Sequence, residues 1–122
     1  MNKVIAVDFD GTVVDHCYPD TGPDVPYAVE VLKDLVSRGY KIILWTMRSG
    51  KELDDAVKWY KDRDISLYGI NINPDQISWT TSPKAYAQIY IDDAALGCPL
   101  YKFAGFNRVS VDWLKVVRLL HE

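Results

Sequence analysis

VIAVDFDGT, residues Val4 to Thr12, decides how the rest of the chain is read. Val4, Ile5, Ala6 and Val7 form an apolar, largely β-branched run of the kind that makes a buried strand. The run stops at Asp8 and soon reaches Gly11, as a strand passing into a tight loop would. The same alternation of buried run and polar break recurs downstream. Val25, Ala28, Val29, Leu32, Leu35 and Val36 fall at three- and four-residue steps up to Gly39, the pattern of an amphipathic helix with a glycine stop. Tyr40 to Trp45 (YKIILW) is a second buried run, and Ser49 with Glu52 forms a capping box for a helix bearing Leu53, Ala56, Val57 and Tyr60. Leu67 to Ile72 is a weaker strand and Ile89 to Ile91 (IYI) a short strong one. Ser110 is placed to cap a last helix with Trp113, Leu114, Val117 and Leu120. Parallel neighbours need crossover connections, so this alternation predicts a three-layer, Rossmann-like α/β/α fold with a mainly parallel sheet and helices on both faces.

Size and composition fit that fold. A chain of 122 residues allows one domain, residues 1–122, and 48% apolar residues can fill its core without disulfides. Lys and Arg number 14 against 17 Asp and Glu, a net charge of −3 that excludes a strongly basic binder of nucleic acid or membrane surfaces. Cys17 and Cys98 lie far apart with no CxxC spacing, and the start MNKVIAVDFD lacks the layout of a signal peptide. No apolar run approaches the ~20 residues that span a bilayer. These features lead us to expect a reduced, cytoplasmic protein with no membrane partner.

Ligands of open α/β sheets bind beyond the carboxyl ends of the strands. The residues that fall there are Asp8 and Asp10 after VIAV, Thr46 and Arg48 after IILW, and Asp92 and Asp93 after IYI. Four carboxylates brought together raise one another's pKa unless a cation is present, and hard oxygen ligands suit Mg²⁺. Magnesium commonly binds through a few protein oxygens plus a substrate phosphate, so the pattern points to phosphoryl chemistry that Lys84 would complete. Gly11 permits a turn whose successive N–H groups can face an anion, and Asp8 and Asp10 can share one ion.

DFDGT at Asp8 to Thr12, the threonine closing ILWT at Thr46, Lys84 and the pair in IYIDD together resemble the four motifs of the haloacid dehalogenase superfamily of phosphohydrolases. The resemblance implies that Asp8 attacks phosphorus and becomes an aspartyl phosphate. It implies that Asp10 donates a proton to the leaving oxygen and then takes one from water, with its backbone carbonyl on the metal. Thr46 would bind a non-transferring phosphoryl oxygen, and Lys84 would neutralise the phosphate. Asp92 and Asp93 would hold Mg²⁺, with the direct ligand left open between them. Gly11, Thr12, Met47 and Arg48 fill out the phosphate-facing set, Arg48 as a guanidinium able to grip an anion.

Larger members of that superfamily carry a cap domain. The stretches from Asp10 to the first helix and from Thr46 to Lys84 leave no room for one, so the chain resembles the capless subgroup. Its site would stay open, be closed by a second copy in a homo-oligomer, or take a substrate bulky enough to exclude water. The implied activity is Mg²⁺-dependent hydrolysis of a phosphomonoester, small molecule or macromolecular phosphate end. Two other classes share parts of the pattern. A receiver-like signalling domain combines the same residue types, but its acidic pair comes first and its phosphorylated aspartate near the middle. A catalytically silent phosphate- or metal-binding module would have lost an essential group, and every matched motif residue is present here. His16 and Cys17 read as solvated loop residues and Trp45, Trp59 and Trp113 as core. Trp79 stands in the polar stretch Asn71 to Ser82, where it could border the site. Tyr101, Phe103 and Phe106 could cover a face against a neighbour.

Overall fold

An uninterrupted apolar run needs cover on both faces, and β1 (Val4–Val7) obtains it at the interior of a sheet. In the computed structural model, which describes residues 3–121, β2 (Lys41–Leu44) and β4 (Ile89–Ile91) flank β1, and β3 (Gly69–Ile70) lies outside β2. All three pairings are parallel.

The registers sort the side chains by face. Ile5 pairs with Ile42, and Val7 pairs with Leu44 and Ile91. These residues form the main core with the buried positions of α1 (Ala28–Ser37), α2 (Gly50–Asp62) and α3 (Trp113–Leu120). Each large side chain fully removed from water there contributes ~1.5–3 kcal/mol. On the opposite face Val4, Ala6 and Ile43 meet Ala85, with Trp45, Tyr68 and Ala87 around them. The third layer is therefore built by the connection from β3 to β4, including a 3-10 turn at Gln76–Ser78, while the three longer helices contribute to the first.

Local sequence explains most element ends. Gly39, at φ 94°, stops α1, and the next amide, from Tyr40, reaches back to the Leu35 carbonyl. The capping box at α2 does not form. Ser49 precedes the helix without a side-chain bond, Gly50 enters at φ 52°, and it is the Ser49 carbonyl that accepts from the Leu53 amide. Ser110 does not cap α3 either. It lies in β6 (Ser110–Val111), which pairs antiparallel with β5 (Leu100–Tyr101), and the cap is Asp112, whose side chain accepts from the Lys115 amide. Of the expected strand Leu67 to Ile72, only Gly69 and Ile70 pair, and Asn71 then turns the chain at φ 58°. Among the described residues no helix is long and apolar enough to cross a membrane.

Candidate functional site

Because the main strands run in one direction, their carboxyl ends share one edge, and Asp8, Thr46, Asn71 and Asp92 stand along it. Asp8, Thr46, Asn71 and Asp92, with Trp45, Met47 and Pro83, line a cleft of about 370 Å³. Asp8, Asp92 and Asp93 each offer a carboxylate oxygen, all within 4.8 Å of one another.

Thr12 organises this cluster from beneath. Fully buried, its hydroxyl donates to Asp8 Oδ2 at 2.8 Å and accepts from the Asp93 amide at 3.2 Å, so one side chain fixes both acids. The Asp8 amide donates to the Ile91 carbonyl at 2.9 Å, tying the ends of β1 and β4 together. Burial is the main reason the Asp8 carboxyl is pushed up to about 8. The Thr12 hydrogen bond opposes the rise, and Asp92 and Asp93 add to it. Asp92 is also raised, again chiefly by burial, against the Ala94 amide that its carboxylate accepts.

Gly11 is required where it stands. At φ 82° it adopts a left-handed conformation, and a Cβ there would lie 2.1 Å from His16 Nε2 and 2.3 Å from Asp93 Oδ2. The space is taken by a contact that the sequence does not reveal. His16 Nε2 lies 3.0 Å from Asp93 Oδ2, donating its ring N–H to the carboxylate. Asp15, itself buried, holds this loop by accepting from the His16 and Asn107 amides, and Asn107 donates back to the His16 carbonyl. The expected anion-facing turn is not present as such. The Gly11 and Thr12 amides donate instead to the carbonyls of Val14 and Phe9.

Arg48 has the most constrained side chain in the neighbourhood, only 3% exposed. Its Nε and one terminal nitrogen form a two-pronged pair with Asp10 at 2.9 and 2.7 Å. The same guanidinium donates to the carbonyls of Asp20, Glu52 and Pro19 and stacks over Phe9 and Tyr18. The Asp10 bond raises the Arg48 pKa further. Asp10 thus points its carboxylate away from the three-aspartate cluster, and Arg48, expected to face phosphate, is occupied within the fold.

Thr46 sits where expected. Its amide donates to Asn71 Oδ1 at 2.8 Å and its hydroxyl oxygen accepts from the Arg48 amide at 3.1 Å. Met47 is almost wholly exposed on the cleft wall. Lys84 is exposed, with its ammonium 5.5 Å from the centre of the Tyr90 ring, and among the described residues it forms no ion pair with a carboxylate. Its neighbour Pro83 does line the cleft. Asn71, like His16, escaped sequence reading. A two-residue strand leaves no pattern to mark the residue at its end, whereas Asp8 and Asp92 follow longer apolar runs.

The donor set fits a hard divalent cation. Oxygens held about 2.1 Å from one Mg²⁺ lie roughly 3–4 Å apart, so the cluster needs only slight contraction to bind one. Burial and mutual repulsion also leave Asp8 and Asp92 short of positive charge, which such an ion supplies.

Fold and site together define a small Rossmann-like α/β domain with an aspartate cluster at the carboxyl edge of its parallel sheet. No protein-family model matches the chain, and no curated protein does. Among solved structures it is similar to a conserved protein from Bacteroides thetaiotaomicron, with 34% identity, a TM-score of 0.80, and coverage of 99% of this chain and 91% of that one. The chain belongs to the family of that conserved protein.

Proposed function

We propose that the protein is a capless phosphohydrolase of the haloacid dehalogenase type, hydrolysing phosphomonoesters with Mg²⁺ through an aspartyl phosphate on Asp8. The observation that carries this reading is the Asp8, Asp92 and Asp93 cluster, with Asp8 held by the Thr12 hydroxyl at the mouth of the cleft. Asp8, Asp92, Asp93 and the Asp10 carbonyl would hold the metal, which when bound neutralises the carboxylates and draws charge from the phosphoryl oxygens.

The chain's own residues divide the remaining work. Asp8 supplies the attacking carboxylate oxygen, and the bond from phosphorus to the leaving oxygen breaks as the new one forms. Thr46, fixed by Asn71 and the Arg48 amide, presents its hydroxyl proton to a phosphoryl oxygen. Asp10 turns from Arg48 into the cleft to protonate the leaving oxygen, and then accepts a proton from the water that hydrolyses the acyl phosphate. Lys84 swings from Tyr90 to neutralise the phosphate. The protein meets its phosphorylated substrate in a reducing cytoplasm, in keeping with two free cysteines, and a second copy of the chain would close the open cleft.

The test is phosphate release from a panel of monoesters, with and without Mg²⁺, by wild type and Asp8→Asn. Mg²⁺-dependent release that Asp8→Asn loses supports the reading, and release surviving in Asp8→Asn overturns it. One observation favours a silent metal-binding module instead: the Asp10 carboxylate is paired with Arg48 and takes no part in the aspartate cluster. Mg²⁺ binding with no release from any ester would establish that alternative.

A further inference from the structure

A second pocket of about 430 Å³ adjoins the cleft. Its walls include Ile72, Pro74, Ile77, Pro83 and Ala85, with the hydroxyl residues Thr80, Thr81 and Ser82 at one side and no ionisable residue in the lining. Two features place it beside the site. Pro83 is a wall of both cavities, and the consecutive residues Asn71 and Ile72 line one each.

The loop that forms this pocket is rigidly built. The buried Gln76 amide accepts from the Tyr86 N–H and donates to the carbonyls of Ser82 and Lys84. Buried Asn73 donates to the Tyr86 carbonyl and accepts from the Asp75 amide. Thr80 and Ser82 accept from the amides of Ser82 and Lys84. Two buried amides and two hydroxyls thus fix the loop while Ile72 and Ile77 stay exposed, Ile77 at 77%. A preformed wall of this kind spares a ligand the cost of ordering it.

We propose that this pocket seats the leaving group of the phosphoester, an uncharged and largely apolar group of one or two rings, while the phosphate occupies the cleft at Asp8 and Thr46. The inference rests on the phosphohydrolase reading and narrows its substrate class. Pockets for small molecules run from roughly 300 to 1,000 Å³, so this one suits a compact group and not a polymer. A second phosphate or a carboxylate on the leaving group would meet no cationic side chain in this lining.

Steady-state kinetics with 1-naphthyl phosphate and glycerol 3-phosphate test it, using wild type, Ile77→Glu and the conservative Ile77→Val. Ile77 is exposed, so each variant is expected to fold, as circular dichroism would verify. In wild type KM for the naphthyl ester should be lower by about tenfold or more. Ile77→Glu should raise KM for the naphthyl ester far more than for the glycerol ester and so abolish that advantage, and Ile77→Val should keep it. Equal KM values in wild type, or indifference of the naphthyl ester to Ile77→Glu, would overturn the proposal.

A binding arm separates this inference from the reading beneath it. Adding 1-naphthyl phosphate to Asp8→Asn protein should shift the amide resonances of Ile72 to Ala85. Loop shifts with no hydrolysis of either ester by wild type would sink the phosphohydrolase and leave an apolar-ligand pocket. Hydrolysis of both esters alike, with no loop shifts, would sink the pocket alone.

Discussion

Asp8 is placed at a cost to the protein that holds it. Its carboxyl is ordinarily half-ionised near 3.8, and in the fold it is pushed up to about 8, chiefly by burial. Between those values the native state retains a proton that the unfolded chain releases, so stability falls as pH rises through the window and the penalty is complete above it. Asp8→Asn removes the penalty. The metal-free variant should exceed wild type by several kcal/mol above the raised value and show no gain below the ordinary one. Urea denaturation across that range reads the difference, and a gain that does not depend on pH would contradict the assignment. Asp8 was legible in sequence because it ends a four-residue apolar run and opens DFDGT. His16 was not, because its partner Asp93 is distant in the chain and the bond exists only after β1 and β4 have paired.

Elements meet through Arg48. It follows β2, binds Asp10 beyond β1, and reaches the Pro19 and Asp20 carbonyls of the intervening loop and Glu52 in the first turn of α2. Removing one partner of a buried pair strands the other, but the Asp10 carboxylate is 20% exposed and keeps some water. Arg48→Ala should therefore cost about 3 kcal/mol, the lower end of the range for such losses. Arg48→Lys should recover little, since an ammonium cannot span a carboxylate and three carbonyls at once. Urea midpoints decide both. Sequence reading placed Arg48 at the correct strand end yet gave it a phosphate to hold, because periodicity locates a residue along an element and is silent on which neighbours arrive there. The same limit applies to the ends of α2 and α3. Ser49 and Ser110 had the right chemistry for caps, but Ser49 enters its helix through its carbonyl alone and Ser110 pairs with Tyr101.

Across the whole molecule, a ligand that binds only the native state adds stability in proportion to the logarithm of its concentration. Mg²⁺ at a hundred times its dissociation constant should add about 2.7 kcal/mol to wild type, seen as a rise in Tm. The rise should grow with pH as Asp8 ionises, and it should shrink or vanish in Asp92→Asn combined with Asp93→Asn. An equal rise in that double variant would place the ion elsewhere. The parallel sheet and its polar edge were readable from alternating buried runs, whereas the layer between β3 and β4 was not, since its shape depends on the side-chain amides of Asn73 and Gln76 and has no period.

β3 also governs how separate copies of the molecule meet. A long exposed strand at the side of a sheet offers unpaired N–H and C=O groups on which another chain can grow, the first step towards aggregates. Here the outer strand is only Gly69 and Ile70, and the chain folds back at once, with the Ile72 carbonyl over the glycine where a Cβ would come within 2.1 Å. A passing chain finds too little free backbone to extend the sheet, which protects this flank at the high concentrations where sticky borders precipitate.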